Sequence, residues 1–244
     1  MLRPYLIRRR QIWLPTIWGW ILLLAIISAV CVLAGRHLYA LLAPNDPAAG
    51  AQLLVIEGWI GEKELNQAIP LFEKGKYQRI VTAGGPIKDW VEPGGSLTYA
   101  ERAASYLKKH GLDGTELTPV SAPESAQDRT FLSAVMVRDW AFKRGVKLDA
   151  IDVYSAGAHG RRSRMLYQMA FGPKINVGVL SARQQNYDER HWWRSSAATE
   201  SVLKETIGLI WTICCFHPAP PGSYEEKWGV PADGGYPERE PPHA

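Results

Sequence analysis

The stretch Ile151-Asp152-Val153-Tyr154-Ser155-Ala156-Gly157-Ala158-His159-Gly160-Arg161-Arg162-Ser163-Arg164, continued by Met165-Leu166-Tyr167-Gln168-Met169-Ala170-Phe171, decides the fold. Its first five residues are largely apolar and β-branched, and read as a buried strand. Met165 to Phe171 read as a helix. A histidine and three arginines therefore crowd a strand-to-helix turn and the first helical turn. The N-terminal end of a helix already carries partial positive charge, so cations are misplaced there unless something negative meets them. An anion held at the turn would make a binding site; carboxylates folded over it would make an internal ion-pair cluster. The local sequence leaves both open.

The same alternation runs outward in both directions. Strands are predicted at 53–56, 79–82, 116–120, 151–155 and 175–180. Helices are predicted at 62–74, at 98–109 closed by Gly111, at 125–143 closed by Gly145, after the opening turn, and at 192–215. Short apolar strands separated by helices imply a parallel sheet covered on both faces. The expected fold is α/β: a Rossmann-like, doubly wound, mostly parallel sheet with helices on both faces, preceded by one N-terminal transmembrane helix.

Ligands of such sheets bind beyond the carboxyl ends of the strands. The first strand runs into Glu57-Gly58-Trp59 and the second into Ala83-Gly84-Gly85-Pro86. The third leads to Asp128-Arg129-Thr130 and the fourth to His159 and Arg162. Glycines at 58, 84 and 85 let backbone amides approach a ligand. The guanidinium groups of Arg129 and Arg162 suit phosphate or carboxylate. His159 either serves as an acid/base or holds the turn through a backbone carbonyl. For Arg162 and Arg129 the competing partners are Glu57, Asp128, Glu200 and Glu205; Arg161 and Arg164 are expected to face solvent. The expected ligand set is Glu57, Gly58, Gly84, Gly85, Asp128, Arg129, Thr130, His159 and Arg162, with His159 the catalytic candidate. Trp192 and Trp193 are expected to open the last helix and to pack there.

The first 50 residues are organised differently. Residues 12–36 are almost wholly apolar, with Trp13, Trp18 and Trp20 near one end. At about 1.5 Å per residue, some 20 residues cross a hydrocarbon core. Arg3, Arg8, Arg9 and Arg10 precede the run and only Arg36 and His37 follow it. The positive-inside rule then puts the N-terminus in the cytoplasm and the main domain outside. The alternative is a cleaved signal peptide, against which stand the length of the run and the Gly35-Arg36-His37 context that follows it. The expected organisation is a basic cytoplasmic segment 1–11, a transmembrane helix 12–36, a linker 37–50, the α/β domain 51–217 and a flexible Pro/Gly-rich tail 218–244.

Several classes are disfavoured. No Gly-x-Gly-x-x-Gly follows the first strand, which argues against a dinucleotide. There is no Gly-Lys-Ser/Thr phosphate loop and no Gly-x-Ser-x-Gly elbow. A formal net charge of +4 over 244 residues, concentrated at the N-terminus and the opening turn, is not a nucleic-acid footprint. Cys31, Cys214 and Cys215 lack zinc spacing and read as buried apolar residues. Residues 209–216 are too few for a second span; they read as a buried helix end or as a surface resting on the membrane.

A resemblance gathers these features. It is carried by Val55-Ile56-Glu57-Gly58-Trp59, by Thr82-Ala83-Gly84-Gly85-Pro86, and by Asp128-Arg129-Thr130 with Ser133-Ala134. It continues through Ser155 with His159 and Arg162, then Asn186-Tyr187-Asp188 leading to Trp192-Trp193-Arg194-Ser195-Ser196. In this order, from about Gln52 to Phe216, the chain resembles the SanA/ElyC/YdcF-like family of bacterial envelope-associated domains. It keeps that family's His-x-x-Arg relation but has Phe131-Leu132-Ser133 after Thr130, where the family often carries an acid and an amide. The resemblance implies a Rossmann-like fold, an N-terminal anchor, and a link to envelope polysaccharide or peptidoglycan biogenesis. It assigns no cofactor, although one relative is associated with S-adenosylmethionine.

The function expected is that of a single-pass inner (plasma) membrane protein whose periplasmic or extracellular domain binds a small anionic metabolite, of phosphorylated or lipid-linked sugar type. Its partners would be the bilayer through 12–36 and that ligand, with no nucleic acid. As an enzyme it would carry out phosphoryl or glycosyl transfer or hydrolysis. The alternatives are a non-catalytic partner in an envelope-assembly complex and a nucleotide-type, S-adenosylmethionine-binding protein.

Overall fold

The computed structural model describes residues 15–73, 77–87, 97–112, 117–124 and 129–228. The chain divides into two compact units, Met1–Leu38 and Tyr39–Ala244. Helix α1, Ile17–Leu42, runs out of the first and ends in the second. It is long and apolar enough to cross a membrane, and 26 residues correspond to roughly 39 Å. It ends later than the predicted 12–36, and residues 12–14 of that span lie outside the described residues.

In the second unit, β1 (Leu53–Glu57), α2 (Glu62–Glu73), β2 (Arg79–Gly84), α3 (Tyr99–Lys109), β3 (Leu117–Ser121), α4 (Arg129–Lys143) and β4 (Ala150–Ala156) follow in turn. After a 3-10 turn, Gly157–His159, come α5 (Gly160–Phe171) and β5 (Asn176–Ala182). A second 3-10 segment, Glu189–Arg194, precedes α6 (Ser196–Cys214), and α7 (Tyr224–Trp228) follows. The five strands are all parallel, in the order β3-β2-β1-β4-β5. This is the expected α/β, Rossmann-like architecture.

Strand periodicity sorts the core into two layers. Leu53 and Val55 of β1 face one side with Ile151 and Val153 of β4, packed against Phe131 and Val135 of α4 and Leu166 and Tyr167 of α5. Leu54 and Ile56 face the other, with Leu65 of α2 and Leu107 of α3. The same parity carries Glu57 and Ser155 to the α4/α5 side at the carboxyl edge. The order also creates a switch point between β1 and β4, where the connections leave in opposite directions and a crevice opens.

Several boundaries differ from expectation. Residues 39–50 are not a free linker: Tyr39 and Leu42 are buried. Asp46 bridges to Val179, and the Ala48 amide donates to the buried Asp152 carboxylate at 2.7 Å. Nor is the tail free as far as Trp228. Glu226 of α7 is buried and pairs bidentately with buried Arg138 of α4, at 2.5 and 2.8 Å; residues 229–244 lie outside the described residues. Trp192 and Trp193 belong to the 3-10 segment, because Ser195 caps α6 by accepting from the Ala198 amide. Trp192 is buried while Trp193 is 41% exposed. Cys31, Cys214 and Cys215 are exposed, not buried.

Candidate functional site

A cleft of about 480 Å³ opens at the carboxyl edge beside the β1–β4 switch point, within the size range of small-molecule sites. It brings together Glu57, Gly84, Gly85, Arg129, Thr130, His159 and Arg162. Two predicted members are not in that group. Asp128 lies outside the described residues. Gly58 does not line the cleft; a Cβ there would stand 2.3 Å from the Tyr99 carbonyl oxygen, so this glycine admits the first turn of α3. Gly84 does the same, since its Cβ would come within 2.8 Å of Tyr99 Cβ, whereas a Cβ on Gly85 would make only ordinary contact, 3.8 Å from the Ala122 and Pro123 carbonyl oxygens. A capping box between Thr98 and Glu101 starts α3 where the two glycines receive it.

At the floor of the cleft, Glu57 is buried. Ser163 of α5 donates to its carboxylate, 3.0 Å from each oxygen, and Ser155 of β4 makes a second, short hydrogen bond to Oε2. Both serines are wholly buried. β1 and β4 are in register through Ile56 and Tyr154, which sets Glu57 beside Ser155 one residue further on. Next to them the Tyr167 hydroxyl is buried without a hydrogen-bond partner among the described residues. Burial, reinforced by the Glu57 charge, pushes it well above the ordinary phenol range, so it stays protonated.

His159 stands between two carboxylates. Nδ1 lies 2.9 Å from Glu205 Oε2; Nε2 lies 3.4 Å from Thr130 Oγ1 and 3.9 Å from Glu57 Oε2. Arg162 Nε donates to the same Glu205 oxygen at 2.9 Å. Arg162 Nη2 is also 3.0 Å from His159 Nδ1. The Arg162 guanidinium can only donate to Nδ1 and the Glu205 carboxylate can only accept from it; facing an ionised carboxylate at 2.9 Å, Nδ1 carries the proton toward Glu205, and the Arg162 Nη2 approach is then a contact rather than a hydrogen bond. Nε2 then faces the cleft. Burial alone would raise the Glu205 carboxyl; hydrogen bonds and charge from His159 and then Arg162 outweigh it and hold the group at about 2. Gly208, one turn along α6, leaves room for the Arg162 guanidinium, which an added Cβ would approach to 3.0 Å. The Trp59 ring meets the imidazole edge-on, with centroids 5.0 Å apart.

Internal carboxylate thus answers much of the cationic turn. Glu205 pairs with Arg162 and accepts from His159, while Glu200 is exposed. Arg161 and Arg164 do not simply face solvent as expected. Arg164 donates to the Val177 carbonyl at 2.8 Å and to Asp46 at 2.6 Å, and Arg161 donates to the Leu41 carbonyl. The cations left over at the cleft are Arg129 and Lys204, both exposed and without an ion-pair or hydrogen-bond partner among the described residues. No cluster of three or more His, Cys, Asp or Glu side chains suited to a metal occurs among the described residues.

The arrangement can do two things chemically. An imidazole oriented by Glu205 points its Nε2 at a half-buried hydroxyl and a buried carboxylate, and two cations at the rim can meet an anion. The sequence names Glu205 among the competing partners of the arginines and gives no role to Ser163 or Lys204. Ser163 lies one turn after His159 on α5, and the spacing of Glu205 along α6 was the only trace of its inward direction. No protein-family model matches the chain, and neither a curated protein nor a solved structure does.

Proposed function

We propose that this chain is a membrane-anchored cell-envelope protein of SanA/ElyC/YdcF-like type, held by α1 with its N-terminus in the cytoplasm. Its extracytoplasmic α/β domain binds an anionic metabolite of phosphorylated or lipid-linked sugar type in the switch-point cleft. The observation that carries the reading is the pairing of an oriented imidazole, His159 fixed by Glu205, with Arg129 and Lys204, cations that have no partner among the described residues, around one cleft. Arg129 and Lys204 meet the anionic group, and His159 Nε2 exchanges a proton with the reacting oxygen in phosphoryl or glycosyl chemistry. Arg162 acts through Glu205 and is a positioning residue.

Thermal-shift screening of the detergent-purified chain against phosphorylated sugars, their parent sugars and inorganic phosphate tests the binding reading. Stabilisation by the phosphorylated compounds that disappears in Arg129→Ala supports it; equal shifts in the variant, or none in the unaltered chain, refute it. Fusion of a periplasm-active reporter to the C-terminus tests the orientation, and a signal only from a cytoplasm-active reporter would overturn it.

A further inference from the structure

α6 is apolar on two sides. Its inward line, Ala198, Val202, Glu205, Leu209 and Thr212, is buried. Its outward residues Leu203, Ile207, Ile210, Trp211 and Ile213 are 46 to 68% exposed. Positions 203, 207 and 210 recur at the spacing of one helix face. A surface helix ordinarily turns charge outward, and one that is apolar all round belongs in a core or in lipid. Exposed apolar patches of this kind mark contact surfaces.

Two further observations select the occupant. The apolar face is continuous with the cleft: Trp211 is half-exposed on α6 and also lines the cleft, beside Lys204 and Thr212. Cations at that mouth, Lys204 and Arg129, complement an anionic headgroup, while the stripe beside them matches hydrocarbon. In addition, the domain follows the apolar helix without a spacer, since Tyr39 and Leu42 are already buried in its fold.

We infer that the outward face of α6 seats on the lipid bilayer, with Lys204 and Arg129 at the level of anionic headgroups, and that the cleft takes a membrane amphiphile by its charged head. The inference rests on the reading of α1 as a membrane span and narrows the ligand to the lipid-linked class.

The test uses the full chain with Cys31, Cys214 and Cys215 replaced by serine, reconstituted into vesicles of zwitterionic phosphatidylcholine with anionic phosphatidylglycerol. Single nitroxide labels are placed through Ile207→Cys, Ile210→Cys, Lys143→Cys and Ala25→Cys. Because 207, 210 and 143 are exposed, the labels replace no packed side chain. Relaxation by oxygen, which concentrates in lipid, is compared with relaxation by a water-soluble nickel chelate. The expected result is oxygen dominating at 207, 210 and 25 and the nickel chelate dominating at 143. Nickel accessibility at 207 and 210 equal to that at 143 would overturn the inference. Shielding of 207 and 210 from both reagents would overturn it in favour of a protein partner or a second copy. A water-like signal at 25 would instead refute the membrane span, so the two failures are distinguishable.

Discussion

Replacing Glu205 by glutamine removes the carboxylate that orders the site. Glu205 is 7% exposed and accepts from His159 Nδ1 and Arg162 Nε through one oxygen. Its carboxyl has a reference value of 4.5 and titrates at about 2 in the fold, where the His159 and Arg162 interactions overcome burial. At about 1.4 kcal/mol per pH unit, that difference corresponds to about 3 kcal/mol of stability. The sign follows from the depressed value: the contribution is complete above about pH 4.5 and is lost as pH falls toward 2. For a domain of this size, about 3 kcal/mol shifts the melting temperature by roughly 6 to 12 °C. Thermal unfolding of the full chain in neutral detergent, followed by near-ultraviolet circular dichroism, reads it. Glu205→Gln should melt lower by that amount at pH 7, and the gap should narrow progressively below pH 4.5. A variant as stable as the parent at pH 7, or a gap unchanged on acidification, would refute the assignment of Glu205 as a buried carboxylate stabilised by these two donors.

Other substitutions separate structure from binding. Gly58→Ala forces a Cβ against the Tyr99 carbonyl and should cost about 1 to 3 kcal/mol by overpacking, measured as a lower melting temperature. Glu226→Ala leaves the buried Arg138 guanidinium with Asp139 and the Ala170 carbonyl and without its bidentate partner. It should cost about 3 kcal/mol, and the Arg138→Met, Glu226→Leu pair should recover most of that loss in the same melt. Arg129→Ala breaks no contact among the described residues, so its stability should stay within about 0.5 kcal/mol of the parent while stabilisation by phosphorylated ligands disappears.

The fold was legible because its strands are short apolar runs and its helices end at glycines, as at Gly111 and Gly145. The carboxyl-edge rule then collected most of the cleft. What stayed hidden depends on contacts between distant segments. Strand order, which seats Glu57 beside Ser155 at the switch point, is set by crossovers that leave no local mark. Glu205 lies 46 residues beyond His159, and its helical spacing with Ala198, Val202, Leu209 and Thr212 is a weak sign of direction because the outward face of α6 is apolar as well. Composition misled at both ends of the domain. Residues 44–50 and 218–228 are rich in Pro and Gly, yet Asp46 and Glu226 find partners 133 and 88 residues away. The Trp192-Trp193 pair reads as helix by periodicity; the Ser195 cap interrupts it.

The cleft as an anion site of an envelope protein is the central claim, and native mass spectrometry tests it most directly. The full chain is purified from membranes in mild detergent, and the small molecules it retains are released and identified. The account predicts a phosphorylated, lipid-linked species bound to the parent chain and to Lys143→Ala, and absent from an equally folded Arg129→Ala. Retention of the same species by Arg129→Ala, or a parent chain that carries no anionic molecule when isolated, would contradict it.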